Sequence, residues 1–462
     1  MRYNFFCSVV FLFHFFSVSD IISDVLLFYH YLEKESFLNF VPFKNDSSVL
    51  NITGSRTCTL VEQKEAGYLF SCREPVLTGL TLALIYWPAL KMMATLLGPR
   101  TAGQVGIVWG LLMTIVGVMV ETMVTGSNAT AVIGWFLMCI GIPFLALSIV
   151  LIFIKTRKEE GGGEEIKISA LVLQFAVFPL LLPFIPLIFV ATKLLSVLKP
   201  KNIFLRSQAT VGSRGEAILE AAPQFVLQCY VVLLSLSPTW IQLISIATSA
   251  LTLSLPNIEQ FVTTRSEEFG PKSILKNIAV FFPVSLFKLL TLSILCVFLK
   301  FIVNVNIFMT IQNLLLAIPL LMGEEKKSRH QFCESIFLSW VTITNLGQGK
   351  TAALYRLVTT IFWTVSHSLT LLFILVVCNT DPEAVVISRY FDWSNLVLVQ
   401  ELSTLNTLLV STLCLGWLSL VLDVLTAAVK YRHCKYSDKR MKDLMDKTVL
   451  WDYAILLEGI KY

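Results

Sequence analysis

The chain has 462 residues, of which 55% are hydrophobic and 15% charged, and its mean hydropathy is +0.74. A soluble domain carries about 25% charged residues, so the composition excludes an ordinary water-soluble globular protein. The net charge of +5 is modest and the basic residues lie in short segments between apolar runs, which argues against nucleic-acid binding. Apolar runs of roughly 20 residues, enough to cross a hydrocarbon core about 30 Å thick, recur along the chain. The sequence therefore predicts an all-α polytopic membrane protein with about ten transmembrane helices.

The first apolar run, within residues 1–32, precedes a long polar loop over 33–75. Ser17-Val18-Ser19 resembles a signal cleavage site, but the run continues past it, farther than a signal peptide needs, so we expect a retained first helix. The loop combines the sequons at Asn45 and Asn51 with the cysteines Cys58 and Cys72. We interpret it as extracellular, glycosylated and disulfide-bonded. The alternative interpretation is that both cysteines remain reduced and that the sequons carry no glycan.

The apolar runs form two stretches of similar layout. The first has the helix within 1–32, a helix at 76–97, a re-entrant segment at 168–192, and helices at 216–237 and 240–262. A hairpin and cytoplasmic loop over 98–166, with helices at 104–125 and 131–154, are an insertion between the second helix and the re-entrant segment of this stretch. The second, within 263–430, has helices at 277–302 and 303–322, a re-entrant or interfacial segment at 332–346, and helices at 354–378 and 403–430. This order predicts two parallel internal repeats.

Charges and prolines set the expected topology. Pro179, Pro183 and Pro186 remove backbone donors from the segment at 168–192, which favours a re-entrant hairpin over a spanning helix. The hairpin keeps the basic residues that follow, beginning with Lys193, on the cytoplasmic side. A third sequon at Asn128 places the turn of the inserted hairpin outside. The basic tail over 431–462 places the C-terminus, like the N-terminus, in the cytoplasm at the plasma membrane.

Several polar side chains lie inside the predicted spans. Asp20 and Asp24 are one turn apart, and each ionised carboxylate at a bilayer centre costs at least ~2.5 to 3.5 kcal/mol on insertion scales. Glu216, Glu220, Gln224 and Gln228 form a stripe that faces protein or a water-filled groove. Lys288 lies near the middle of its helix, and Lys91, Arg356, His367 and Asp423 lie toward the ends of theirs. Such charges either pair structurally to fix helix register or line a permeation pathway, and both interpretations stay open.

Enzymatic chemistry finds no support in the sequence. The cysteines and histidines lack metal-ligand spacing, and there is no complete nucleotide-binding loop and no hydrolase elbow. We therefore expect no catalytic residues, no metal and no cofactor, and any transport to be passive or ion-coupled.

The segment Glu216-Ala-Ile-Leu-Glu-Ala-Ala-Pro-Gln-Phe-Val-Leu-Gln228 resembles the signature helix of the XK-related family. Ser19-Asp20-Ile-Ile-Ser-Asp24 is similar to the paired-Asp first helix of that family, 339–349 to its second re-entrant element and 405–431 to its last helix. Residues matched to the family pattern are Asp20, Asp24, Glu216, Glu220, Pro223, Gln224 and Gln228, whereas Lys288 is assigned from its place within an apolar helix. The resemblance does not extend to about 99–166, because family members have eight spanning helices and no glycosylated hairpin there.

The resemblance implies a phospholipid scramblase that exchanges lipids such as phosphatidylserine between plasma-membrane leaflets without an energy source. It also implies candidate partners: membrane phospholipids, a single-pass glycoprotein subunit, a lipid-transfer protein, and a caspase that cuts the tail. Asp443-Leu444-Met445-Asp446 has the Asp-x-x-Asp form of a caspase site, although the alternative is a solvated helical face. Rival functions are a non-transporting scaffold and a secondary transporter or channel.

Overall fold

A computed structural model describes residues 18–32, 37–42, 58–64, 67–72, 75–97, 99–123, 128–156, 184–198, 216, 220–236, 238–264, 271–298, 350–380 and 401–434. The body of this structure is helical, as the apolar runs predict. Some predicted features lie outside the described residues, namely the sequons at Asn45 and Asn51, the helix at 303–322, the re-entrant segment at 332–346 and the tail with Asp443 and Asp446.

In chain order the elements are α1 (18–32), β1 (Phe37–Pro42), β2 (Cys58–Lys64), β3 (Gly67–Cys72), α2 (Pro75–Leu97), α3 (Pro99–Met123), α4 (Asn128–Thr156), α5 (Ile185–Leu198), α6 (Ala222–Ser235), α7 (Trp240–Thr264), α8 (Pro271–Phe298), α9 (Lys350–Asn379) and α10 (Leu402–Cys434). Asn128 is the first residue of α4. Of the segment predicted to be re-entrant at 168–192, the part that the structure describes belongs to α5.

The loop after α1 contains a three-stranded antiparallel sheet with the strand order β1-β3-β2, which the sequence pattern did not indicate. The register places Cys58 of β2 directly opposite Cys72 of β3. Opposed Cα atoms in antiparallel strands lie about 4.5 to 5.5 Å apart, which is within the range that a disulfide spans. Strand β1 also contacts α6. The backbone therefore suits the predicted disulfide, and the sheet packs against α6 through β1.

Helices α3 and α4 form a closely packed hairpin in which glycine permits backbone contact. A Cβ atom added at Gly110 of α3 would lie 2.7 Å from the backbone nitrogen of Leu145 on α4, and one at Gly117 would lie 2.7 Å from the carbonyl oxygen of Gly134. A side chain at either position would therefore force the two helices apart. This hairpin in turn packs on α2.

Two apolar clusters organise the helices. One cluster contains residues from every helix from α6 through α10, including Phe225, Phe287 and Leu371. The other contains residues from every helix from α1 through α5, including Ile21, Ala83 and Phe189. A tight turn between α6 and α7 ends α6 at Leu236, whose φ of 49° lies in the left-handed region and whose N–H donates to the carbonyl of Val232 at 2.8 Å. The turn makes α6 and α7 neighbours in the bundle.

By length and composition alone, two segments of the described helices are sufficient to cross a membrane: Ile361–Asn379 in α9 and Leu402–Leu422 in α10. Shorter apolar segments of 10–17 residues occur within α2 to α8, for example Pro75–Leu90 and Trp240–Leu253.

We expect Gly110→Ala to lower the thermal stability of the protein in detergent micelles. The added methyl group meets backbone atoms of Leu145 that cannot rotate away, and such overpacking costs about 1 to 3 kcal/mol, against roughly 1 kcal/mol gained in helix propensity. Leu111→Ala, at the adjacent and half-exposed position, is the control and should shift the midpoint less. Equal midpoints for Gly110→Ala and the unsubstituted chain would contradict the close packing.

We also expect Cys58 and Cys72 to be linked in the protein from a secretory source. Peptide mapping without reduction should recover one linked peptide pair, whereas Cys139, a free thiol in the structure, should be alkylated after unfolding. Recovery of both Cys58 and Cys72 as alkylated peptides would show that the strands are not bridged.

Candidate functional site: a buried acidic column

Two carboxylates of α1 are held by serines of α7. The Ser249 hydroxyl donates to Asp20 Oδ1 at 3.0 Å, and the Ser245 hydroxyl donates to Asp24 Oδ1 at 2.9 Å. Both pairs are one helical turn apart, so α1 and α7 lie antiparallel with matching polar faces. Asp20 and Asp24 are fully buried.

The second face of the site is the predicted stripe, whose first two residues precede α6 and whose last two lie on it. Glu216, Glu220, Gln224 and Gln228 are all fully buried. The helix is not regular throughout, because residues 220–221 adopt a π turn before α6 begins. Pro223 lies in the first turn of α6 and has no N–H to donate. The series of backbone hydrogen bonds along the helix is therefore interrupted at this point. The π turn thus contains Glu220, the second residue of the stripe.

The stripe on α6 lies beside the paired aspartates of α1. The carboxyls of Glu216 and Glu220 interact electrostatically with those of Asp20 and Asp24, and the Gln224 amide lies beside Asp24 without forming a regular hydrogen bond. We call the set the acidic column: Asp20, Asp24, Glu216, Glu220, Gln224 and Gln228, with Ser245, Ser249 and Lys193. Helices α1 and α6 run parallel along it, because Asp20 is near Glu216 at one end and Tyr31 meets Gln228 at the other.

Lys193 of α5 is the cation of the column among the described residues. The sequence predicts Lys193 as a flanking residue after the re-entrant segment, whereas the structure places it inside a helix with a fully buried side chain. Its ammonium group forms a fully buried ion pair with Glu216 and lies 4.4 Å from the centroid of the Phe189 ring. A flanking position was expected because Lys193 follows three prolines. Pro186 lies in the first turn of α5, where its missing N–H is tolerated, and the helix continues through Lys193. The one-turn spacing of Phe189 and Lys193 is the signal that could have identified it.

The column contains polar atoms without partners. Atoms that make no hydrogen bond to any residue that the structure describes include Asp20 Oδ2, Asp24 Oδ2, Glu220 Oε1 and Oε2, both polar atoms of the Gln224 amide, Gln228 Nε2 and Thr252 Oγ1. Buried polar groups are normally paired, so this concentration is unusual. Among the described residues, four carboxyl groups of the column face one ammonium group, so this part of the structure supplies fewer donors and less positive charge than the carboxyls could accept.

Tyr31 closes the end of the column opposite Lys193. Its hydroxyl donates to Gln228 Oε1 and accepts a hydrogen bond of 3.1 Å from Gln242 Nε2. Gln242 is itself fixed by a capping box, since its Oε1 accepts the Thr239 N–H at 2.8 Å at the start of α7. Sequence reasoning missed Tyr31, Gln242, Ser245 and Ser249, although Gln242, Ser245, Ser249 and Thr252 share the helical spacing of one polar face on α7.

Lys288 lies in a second cluster with residues of α9. Its ammonium group is 4.3 Å from the centroid of the Trp363 ring, and the His367 ring centroid is 3.8 Å from that of Trp363. Both Lys288 and His367 are buried, and neither ring nitrogen of His367 has a hydrogen-bond partner among the described residues. The sequence grouped Lys288 with the acidic residues of a single groove, whereas the structure brings it together with an aromatic pair on α9.

Comparison with known proteins adds no relative: no protein-family model, no curated protein and no solved structure matches the chain. Within the part of the chain that the structure describes, no three His, Cys, Asp or Glu side chains converge closely enough to hold a metal ion.

We expect Lys193→Met to destabilise the protein by about 3 to 5 kcal/mol, because it leaves Glu216 buried without its cation. The double variant Lys193→Met/Glu216→Leu removes both charges and should recover most of that loss, since an apolar pair can replace a buried ion pair. Denaturant unfolding in micelles measures both values. An equal loss in the single and double variants would show that the charge pair is not the cause.

Proposed function

We propose that the chain is a multi-pass membrane protein and an XK-related phospholipid scramblase, in which lipid headgroups cross the bilayer along the acidic column. The observation that carries the membrane assignment is the distribution of polarity. Fully buried side chains include Asp20, Asp24, Lys193, Glu216 and Glu220, whereas large apolar side chains lie on the outside. In water, charged side chains are normally exposed and large apolar side chains are normally buried. In lipid, apolar side chains face the hydrocarbon and charged side chains lie between the helices.

Helix α9 illustrates the apolar exterior. Its exposed side chains include Ile361, Phe362, Val365, Leu369, Leu372, Phe373 and Val376, whereas Thr364, His367 and Ser368 are buried. An exposed apolar patch of this kind on a soluble monomer is a liability to aggregation, but it is the expected surface of a helix in hydrocarbon. We extend this reasoning to about ten spanning helices in two parallel repeats, with both termini in the cytoplasm and the plasma membrane as the location.

The scramblase assignment is supported by the column and by the resemblance of α1 and α6 to the family motifs. A headgroup cannot cross hydrocarbon cheaply, but polar side chains from several helices can replace its water while the acyl chains stay in lipid. Randomising two leaflets needs no energy source. All members of the column are buried in the structure, so transport requires helices to separate, for example α1 from α7 at the Asp20 and Asp24 hydrogen bonds.

Activation and partners follow from the same proposal. Cleavage after Asp446 by a caspase is the trigger that the tail sequence offers, and a single-pass glycoprotein or a lipid-transfer protein is the class of protein partner that the resemblance implies. In the scaffold alternative, the chain binds the same protein partners but transports no lipid. In the transporter alternative, the chain carries a soluble solute across the membrane instead of a lipid.

The test is dithionite quenching of fluorescent lipids in liposomes that contain the purified chain, either full length or truncated after Asp446. We expect quenching beyond the outer-leaflet half, with the larger rate in the truncated form. If quenching stops at the outer-leaflet half for both forms, the chain does not scramble lipids, and this result would support the scaffold alternative. Saturable, ion-dependent uptake of a soluble solute would instead favour a transporter.

We expect Glu220→Ala to reduce scrambling at least about tenfold, because it removes a fully buried carboxyl from the π turn of the column. The matched control is Val376→Ala on the exposed face of α9, which should retain the rate of the unsubstituted chain. Surface expression of both variants separates loss of transport from loss of folding. Undiminished scrambling by well-expressed Glu220→Ala would contradict a pathway through the column.

A further inference from the structure

The unpartnered atoms of the column are mostly acceptors. Asp20 Oδ2, Asp24 Oδ2 and both carboxyl oxygens of Glu220 make no hydrogen bond to the described residues, and each of these side chains is fully buried. An ionised carboxylate only accepts hydrogen bonds. The site therefore matches a ligand that brings donors, and a phosphate group, which brings acceptors, does not match it.

The charge of the column leads to the same class of ligand. Lys193 is in contact with Glu216 and also acts electrostatically on Glu220. The other described non-acidic neighbours of Asp20 and Asp24 are the hydroxyls of serines and threonines and the Gln224 amide, none of which carries a charge. Burying several like charges together is costly unless a cation joins them or protons neutralise them. A ligand with one positive charge and several N–H donors satisfies both requirements.

The spacing of the acids distinguishes an ammonium group from a metal ion. Asp20 and Asp24 are one turn apart, as are Glu216 and Glu220, so the carboxyls follow the helices instead of converging on a point. A calcium ion needs six to eight oxygens at about 2.3 to 2.6 Å, and no convergent group of three acidic or metal-ligating side chains occurs among the described residues. An ammonium group with three donors can pass from one carboxyl to the next along such a row.

We propose that the acidic column recognises the primary ammonium group of phospholipid headgroups, so that phosphatidylserine and phosphatidylethanolamine cross faster than lipids without an amine. This inference rests on the proposed scramblase function and adds a substrate preference to it. Phosphatidylcholine, whose quaternary ammonium carries the charge but no N–H, should be intermediate.

The decisive comparison is phosphatidylserine against phosphatidylglycerol, because both carry one net negative charge and only the former has an ammonium group. The probes carry the fluorophore on an acyl chain, which leaves the amine free, and dithionite quenching gives the rate for each in liposomes containing the unsubstituted chain. We expect phosphatidylserine to cross at least about tenfold faster, the factor that a single charge-assisted hydrogen bond supplies. Glu220→Gln should reduce the ratio toward one, and Val376→Ala should leave it unchanged.

Each pattern of rates has one meaning. Equal rates for the two lipids, both beyond the outer-leaflet half, would overturn the ammonium preference and leave the scramblase proposal standing. Quenching that stops at half for every lipid would reject the scramblase proposal, and this inference with it. Free ethanolamine tests the source of the ammonium: it should compete with the headgroup, slowing phosphatidylserine selectively and bringing the ratio of the two rates toward one. Equal slowing of both lipids would assign the column to a soluble cation and overturn the headgroup preference.

Discussion

Carboxyl groups buried far from water must find polar neighbours, and this constraint fixes how the helices around the acidic column are arranged. Asp20 and Asp24 are satisfied in part by Ser249 and Ser245, which sets the antiparallel register of α1 and α7. Glu216 is satisfied by Lys193, which brings α5 to the start of the α6 stripe. Apolar packing alone is non-directional and would allow these helices to slide, whereas the polar contacts select one register.

The same constraint explains what the sequence could predict. A carboxylate within an apolar run is rare enough to be informative, so the sequence alone suffices to recognise Asp20, Asp24 and the Glu216 to Gln228 stripe as buried polar positions. Their partners could not be recognised in the same way. Serine is common in helices, and nothing about Ser245 or Ser249 alone shows that a carboxyl lies opposite.

Lys193 and the sheet were missed for different physical reasons. A lysine after a proline-rich segment is typical of a cytoplasmic flank, but the positive-inside bias describes averages and cannot detect one cation that is retained to neutralise an acid. The sheet depends on pairing between β1, β2 and β3, and a polar loop with a bulge between Leu60 and Glu62 gives only a weak alternating pattern. The predicted duplication stays a prediction, because two of the segments on which it depends lie outside the described residues.

The two halves of the described structure differ in the charge that they bury. The first half concentrates acids around one lysine, and the second holds Lys288 and His367 against Trp363. On the proposed function, an amine-bearing phospholipid headgroup also carries a phosphate, so the acidic column would need a place outside itself for the anionic part. Water and the membrane interface provide that place if the headgroup enters amine first.

Photo-crosslinking in scrambling proteoliposomes tests the central claim most directly. A photoreactive side chain replaces Gln224 in the column or, as the control, Val226, which packs in the apolar cluster of α6 to α10. Intact-mass and peptide analysis should find phospholipid attached through its headgroup at position 224 and not at position 226. A scrambling protein that captures no lipid at 224, or equal amounts at both positions, would contradict a headgroup pathway through the acidic column.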